Sequence, residues 1–310
     1  MNRRAAEVRP NPPTDGAQIR GRTGRRRHWR VPVVRATAAF AAAFAMTLAC
    51  TAPRSTTTPA PARTTIRVVS FNIHAGTDAA HQPNLERVAA VLDTLDADVV
   101  LLQEVDRGTK RSGRVDQIAE LERLTGLRGA FGKSLDFQGG DYGIAALSRW
   151  SIHTVDVVPL HTEAPAERGD GRYEPRVALH LVVSTPAGPL HVIGTHLGAE
   201  GDGTYRRQEA LALLAHIRQD VPPGVALIVG GDFNSLPESN VVAAFSLAMS
   251  DAWTACGNGA GYTFPSDDPE RRIDYIFLRG VHCLAARSPA TMVSDHRPLF
   301  VTLEMPAPAR

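Results

Sequence analysis

The chain has 310 residues, 43% hydrophobic and 21% charged, with only three cysteines, so it can bury one large core and is neither a disordered polymer nor a disulfide-built miniature. Its formal charge of +2 misleads, because residues 1–30 hold nine Arg against Glu7 and Asp15, leaving −5 for everything after Arg30 and −8 for residues 65–310. That acidity disfavours nonspecific affinity for polyanions, although a local basic groove remains compatible with it.

The first 64 residues do not read as part of a fold. An Arg-rich segment is followed by a 14-residue apolar run, Ala36–Ala49, and by Cys50. This is the layout of an export signal. "TLAC" resembles a degenerate lipoprotein box with Cys50 acylated, while a retained membrane anchor with a cytoplasmic Arg-rich end is the alternative. Residues 51–64, rich in Thr, Pro and Ala, read as a spacer. Domain boundaries are accordingly 1–50, 51–64 and 65–305.

From Thr65 the texture changes to short aliphatic runs alternating with amphipathic stretches, which predicts an α/β domain. Strands are predicted at 66–73, 98–105, 143–148, 177–184, 190–196, 225–231, 273–279 and 298–303. Helices are predicted at about 84–95, 115–125 and 205–219, the second stopped by Gly126.

Eight polar residues fall at the ends of these strands: Asn72, Glu104, His196, Asp232, Asn234, Asp274, Asp295 and His296. One Asp or Asn after a strand is ordinarily a turn residue. Several carboxylates gathered at one place require a cation or protonation. Carboxylate and amide oxygens without cysteine suit Mg²⁺ or Mn²⁺ better than Zn²⁺, and Mg²⁺ commonly recruits phosphate oxygens.

The ordered segments "SFNIHAG", "LQEVD", "DYGIAALSR", "GTHL", "GDFN", "RIDYIF" and "SDHRPL" resemble the signature of the endonuclease/exonuclease/phosphatase (DNase I-like) superfamily over about Ile66–Leu303. The resemblance implies a four-layer sandwich of two packed mixed β-sheets flanked by helices. It also implies a metal-dependent hydrolase of phosphate esters, with Glu104 as principal metal ligand aided by Asn72 and Asp295. Asp232 and Asn234 are implied to orient the attacking water, with Asp232 as base, and to be available to a second metal. Asp274 and His296 are implied to form a carboxylate–histidine dyad, and His196 to contact a phosphoryl oxygen. Ile144 stands where relatives often have Asn.

Tyr142 is a candidate phosphate contact, or else a packed aromatic. Arg176 is a candidate for binding an anionic substrate, or else a salt-bridge partner of Glu174. Arg111 and Arg114, with Lys110, form a cationic loop suited to an anionic head group, or else a solvated face. Cys256 and Cys283 are expected either to form a disulfide or to be two buried thiols.

The leading expectation is an exported Mg²⁺-dependent phosphoesterase, monomeric, held at the membrane only through its N-terminal segment, and cutting a small-molecule or lipid phosphodiester. A secreted DNase-like nuclease acting on nucleic acid is the second expectation, and a noncatalytic surface-binding module the third.

Overall fold

In the computed structural model, which describes residues 64–78, 80–160, 174–199 and 203–305, the aliphatic runs become strands of two six-stranded sheets. The first sheet has the order β11 (His282–Arg287), β12 (Leu299–Met305), β1 (Thr64–Asn72), β2 (Val99–Arg107), β4 (Gly140–Ser148), β3 (Arg128–Phe137). The second has the order β5 (Ile152–Pro159), β6 (Val177–Thr185), β7 (Gly188–His196), β8 (Leu227–Asp232), β10 (Asp274–Arg279), β9 (Ser250–Asp251). Each sheet is mixed, with one parallel pair at its centre, β1 with β2 and β7 with β8, among antiparallel neighbours.

The sheets pack face to face. Leu101 and Ile144 of the first share one core with Leu179, Val192, Ile228 and Ile276 of the second. Leu101 sits so close that a Cβ at Gly230 would come within 2.9 Å of it, so only glycine fits there. The outer face of the first sheet is covered by α1 (Leu85–Thr94) and α2 (Gln117–Thr125), through Val88, Leu92, Ile118 and Leu121. The second sheet is covered by α3 (Thr204–Asp220) and α4 (Asn240–Ala248), through Leu213, Ile217, Val242 and Phe245. The result is the four-layer architecture implied by the sequence.

Local signals account for the helix ends. Asp116 caps α2 by accepting from the Ala119 N–H, and Gly126 ends it at φ 70°. Helix α4, which periodicity does not predict, is capped by Ser239 and is almost wholly apolar; a short α5 (Ala252–Cys256) follows it. Cys256, at the end of α5, is bonded to Cys283 on β11, with Cα atoms 5.9 Å apart, so the two half-cystines are paired.

All predicted strands are present. The strands that prediction missed, β3, β5, β9 and β11, are the four edges of the two sheets. Edge strands bury little: β5 has no fully buried residue and β11 has one. The predictions made for residues 1–63 lie outside the described residues. Among the described residues no helix is long and apolar enough to cross a membrane.

Candidate active site

The two central parallel pairs end at the same edge of the sandwich. Asn72 closes β1, His196 and Asp232 close β7 and β8 as register partners, and Asp274 opens β10 directly opposite Asp232. Glu104 arrives differently. The β2–β4 register breaks between Leu102 and Val105, and at this bulge Glu104 takes φ 57°. A left-handed backbone at a non-glycine residue is strained, and here it accompanies a carboxylate displaced from the strand's regular ladder. Asn234, at φ 48°, is a second such residue.

Asp232 is the hub. Its Oδ1 accepts from the Asn234 backbone N–H at 2.8 Å, and its Oδ2 accepts from Asn72 Nδ2 at 3.2 Å. The same oxygen lies 3.6 Å from Nε2 of both His196 and His296. Asn72 Nδ2 also donates to Glu104 Oε1 at 3.0 Å, while Asn72 Oδ1 accepts from the His74 N–H. Asn72 thus presents its amide nitrogen to two carboxylates and couples them.

His296 Nδ1 donates to Asp274 Oδ2 at 2.9 Å. Asp274 is fully buried and its Oδ1 has no hydrogen-bond partner, so this carboxylate's charge is supported mainly by the imidazole. Burial opposes charge on His296, but Asp274, and behind it Asp232 and Asp295, raise its pKa to about 10. Burial and the Asp274 charge push Asp232 up to about 7, against the pull of His296 and of its donors. His196 goes the other way: burial, then the charges of Arg176 and His296, hold it well below the usual value. Arg176 Nη1 lies 3.0 Å from His196 Nδ1 and Asn234 Nδ2 lies 3.2 Å from its Nε2, so an N–H group faces each ring nitrogen, with Asp232 Oδ2 3.6 Å from Nε2.

Glu104, His196, Asp232, Asn234 and His296 line one cleft of about 400 Å³, together with Arg111, Tyr142, Glu174, Arg176, Asp295 and Arg271, while Asn72 and Asp274 stand behind them. Asp295 accepts from Ser294 Oγ at 3.1 Å, and the same hydroxyl serves the Asn72 carbonyl. Tyr142 is buried, which raises its phenol well above the usual pKa. Arg176 both lines the cleft and pairs with Glu174 at 3.1 Å, so its two readings coexist. Arg114 does not line it. Its Nη1 donates to the carbonyls of Gly108, Gln138 and Gly139, tying two turns together, so the expected substrate contact does not hold for this residue. Ile144, where relatives often have Asn, packs in the core between the sheets.

Phe264 and Arg271 also form part of the wall, and sequence reasoning did not single them out. They lie in an irregular segment with neither strand periodicity nor a motif, where no local signal marks them. The Phe264 ring stands 4.7 Å from that of His296.

The donor set fits a hard divalent cation. Glu104 and Asp295 offer carboxylate oxygens to the same cleft. Asp232, Asp274 and His296 also cluster closely enough to hold an ion, yet there a protonated imidazole already lies against both carboxylates. A cleft of buried carboxylates, a cationic histidine and a donor-bearing neutral histidine defines a metal-dependent hydrolase of phosphoester bonds. Residues 69–296 match the endonuclease/exonuclease/phosphatase family, and the chain belongs to it.

Relatives agree in extent. The uncharacterized protein YbhP of Escherichia coli K12 is 26% identical over 255 residues, covering 77% of this chain and 96% of that one. An endonuclease/exonuclease/phosphatase structure from Beutenbergia cavernae superposes with TM-score 0.65 at 23% identity, over 78% of this chain and 72% of that chain. The mannosyl-6-phosphatase of Bacteroides thetaiotaomicron gives 0.62 at 17% identity, over 77% and 99%.

Proposed function

We propose that the chain is an exported, Mg²⁺-dependent phosphodiesterase acting on a small-molecule or lipid head-group ester. The observation that carries the reading is the buried Asp274–His296 dyad set against Asp232, within one cleft with Glu104 and Asp295.

Glu104 and Asp295 hold the cation, which when bound supplies charge neutralisation at a nonbridging phosphoryl oxygen. Asp232, with a pKa near the working pH, takes the proton of the attacking water, and Asn234 fixes its carboxylate through the backbone N–H. His296, kept cationic by Asp274, donates from Nε2 to a phosphoryl oxygen as negative charge grows there. His196, neutral and held between Arg176 and Asn234, contacts a phosphoryl oxygen from the β7 side. Apart from Asp232, each group acts through position and charge, and water attacks in line without a covalent enzyme intermediate.

The net acidity of residues 65–310 supports a small or lipid substrate over nucleic acid. Export is supported by the basic and apolar leader and fits the Cys256–Cys283 bond. The test compares bis(p-nitrophenyl) phosphate, dispersed phospholipid and plasmid as substrates, each with Mg²⁺ and with EDTA. Mg²⁺-dependent turnover of the small diester or the lipid well above plasmid nicking is expected. Faster cleavage of plasmid would overturn the substrate class, and no turnover of any of the three would overturn the enzymatic reading.

A further inference from the structure

Two guanidinium groups that line the cleft, those of Arg111 and Arg271, are not used by the chemistry above. Arg111 donates from Nε and Nη2 to both oxygens of Asp106, at 2.8 and 2.9 Å. Asp106 is fully buried and is held in turn by Thr109 Oγ1 at 2.7 Å. The same guanidinium lies 4.7 Å from the Phe137 ring and 5.3 Å from that of Tyr142. A bidentate pair and two rings fix its plane, and Nη1 is the edge outside the pair. Arg271 stacks on Phe264 at 4.6 Å, and the carboxylate that approaches it, Glu270, stays 4.0 Å away and is largely exposed. Arg176, the third arginine of the cleft, is committed to Glu174 and His196.

A phosphodiester carries one negative charge, which a divalent cation held by Glu104 and Asp295 would already meet. Two further guanidiniums, each seated on an aromatic ring, exceed that need. Their placement is preorganised, so little ordering entropy remains to be lost on binding. We propose that Arg111 and Arg271 form a second anion subsite, Arg111 giving direction and Arg271 net charge, and that the substrate carries a further anionic group, phosphate or carboxylate, beside the scissile ester. This rests on the phosphodiesterase reading for what the substrate is, but its test does not depend on turnover.

A neighbouring cleft of about 350 Å³ is the rival position. It is lined by Arg206 and Arg207 and shares Asn234 with the first. Binding to the full chain in MgCl₂ is measured by calorimetry for methylphosphonate, propane-1,3-bisphosphonate and 3-phosphonopropanoate. The bisphosphonate is expected to bind at least tenfold more tightly than methylphosphonate, and the position of 3-phosphonopropanoate between them tells a carboxylate from a phosphate arm. Arg271→Ala should cut that preference to within threefold. Arg111→Lys, which keeps charge but not the bidentate fork, should reduce it by a smaller factor, with the melting temperature checked in each variant. Equal binding of the three ligands by the wild type would overturn the proposal. So would a preference that survives Arg271→Ala, or one that Arg206→Ala/Arg207→Ala abolishes. Turnover of bis(p-nitrophenyl) phosphate, measured alongside, reports separately on the phosphodiesterase reading.

Discussion

Two histidine clusters stand apart in the molecule, one in the cleft and one under helix α3, and their surroundings charge them differently. In the cleft, His296 rests on buried Asp274 and is held charged, with a pKa near 10. Under helix α3, His191 Nδ1 meets His180 Nε2, His180 Nδ1 meets His216 Nε2, and His216 Nδ1 meets Asp220, each at 3.0 Å. Here the acid is at the far end and 58% exposed, and His180 is pressed between two other imidazoles. Burial, then His216 and His191, drive its pKa down to about 4, with Asp156 and Asp220 opposing. An imidazole is held cationic where a buried carboxylate touches it; where its neighbours are other imidazoles it is held neutral.

The comparison breaks most readily at Asp274. Asp274→Asn removes the charge that holds His296 protonated, and kcat is expected to fall by about 10²–10⁴-fold, the range of a lost acid–base or electrostatic partner. Thermal unfolding should move far less than the rate; a large fall in melting temperature with kcat preserved would make the dyad structural. His180→Leu should do the reverse. It leaves His191 Nδ1 and His216 Nε2 without their imidazole partner, at a cost of about 1–3 kcal/mol, while steady-state rates stay within about twofold.

The pH dependence of stability sharpens the contrast. His180 has a folded pKa near 4 against an ordinary 6.5, so the unfolded chain binds its proton first. Its stability is complete above about pH 6.5 and is lost as pH falls from there toward 4. Burial and Arg279 lower His191 as well, which adds to the same trend. The melting temperature should therefore drop by several degrees between pH 6.5 and 4.5, and His180→Leu should flatten that slope. An unchanged slope would show that the chain of imidazoles does not govern it. The smallest effect is expected at Arg114→Ala, which loses bonds to three turn carbonyls in an exposed region. About 1 kcal/mol of stability and no change in KM are expected from urea titration and kinetics; a raised KM would return Arg114 to the substrate site.

Legibility in the sequence followed burial. Interior strands such as β2 and β8 are continuous aliphatic runs and were found to within a few residues. The four edge strands were missed, because a strand with one hydrogen-bonded neighbour and little burial needs no such run. The polar residues Asn72, Glu104, His196, Asp232, Asp274 and His296 were legible because each stands beside a buried aliphatic run, even though β2 continues past Glu104 to Arg107. The sequence could not show the bulge that turns Glu104, the amide orientation that makes Asn72 a coupler, or the separation of Arg111 from Arg114. These depend on register and on which carbonyls and carboxylates the fold brings near, and neither has a sequence period. The Arg271–Phe264 wall was silent for the same reason.

The central claim is that Asp232 and its two flanking histidines act on a phosphoester beside a divalent cation. The most direct measurement is hydrolysis of bis(p-nitrophenyl) phosphate by the wild type and by Asp232→Asn, side by side at saturating Mg²⁺. The account predicts turnover by the wild type and a loss of at least about 10²-fold in the near-isosteric variant, with unfolding unchanged. Equal rates for the two proteins would contradict it.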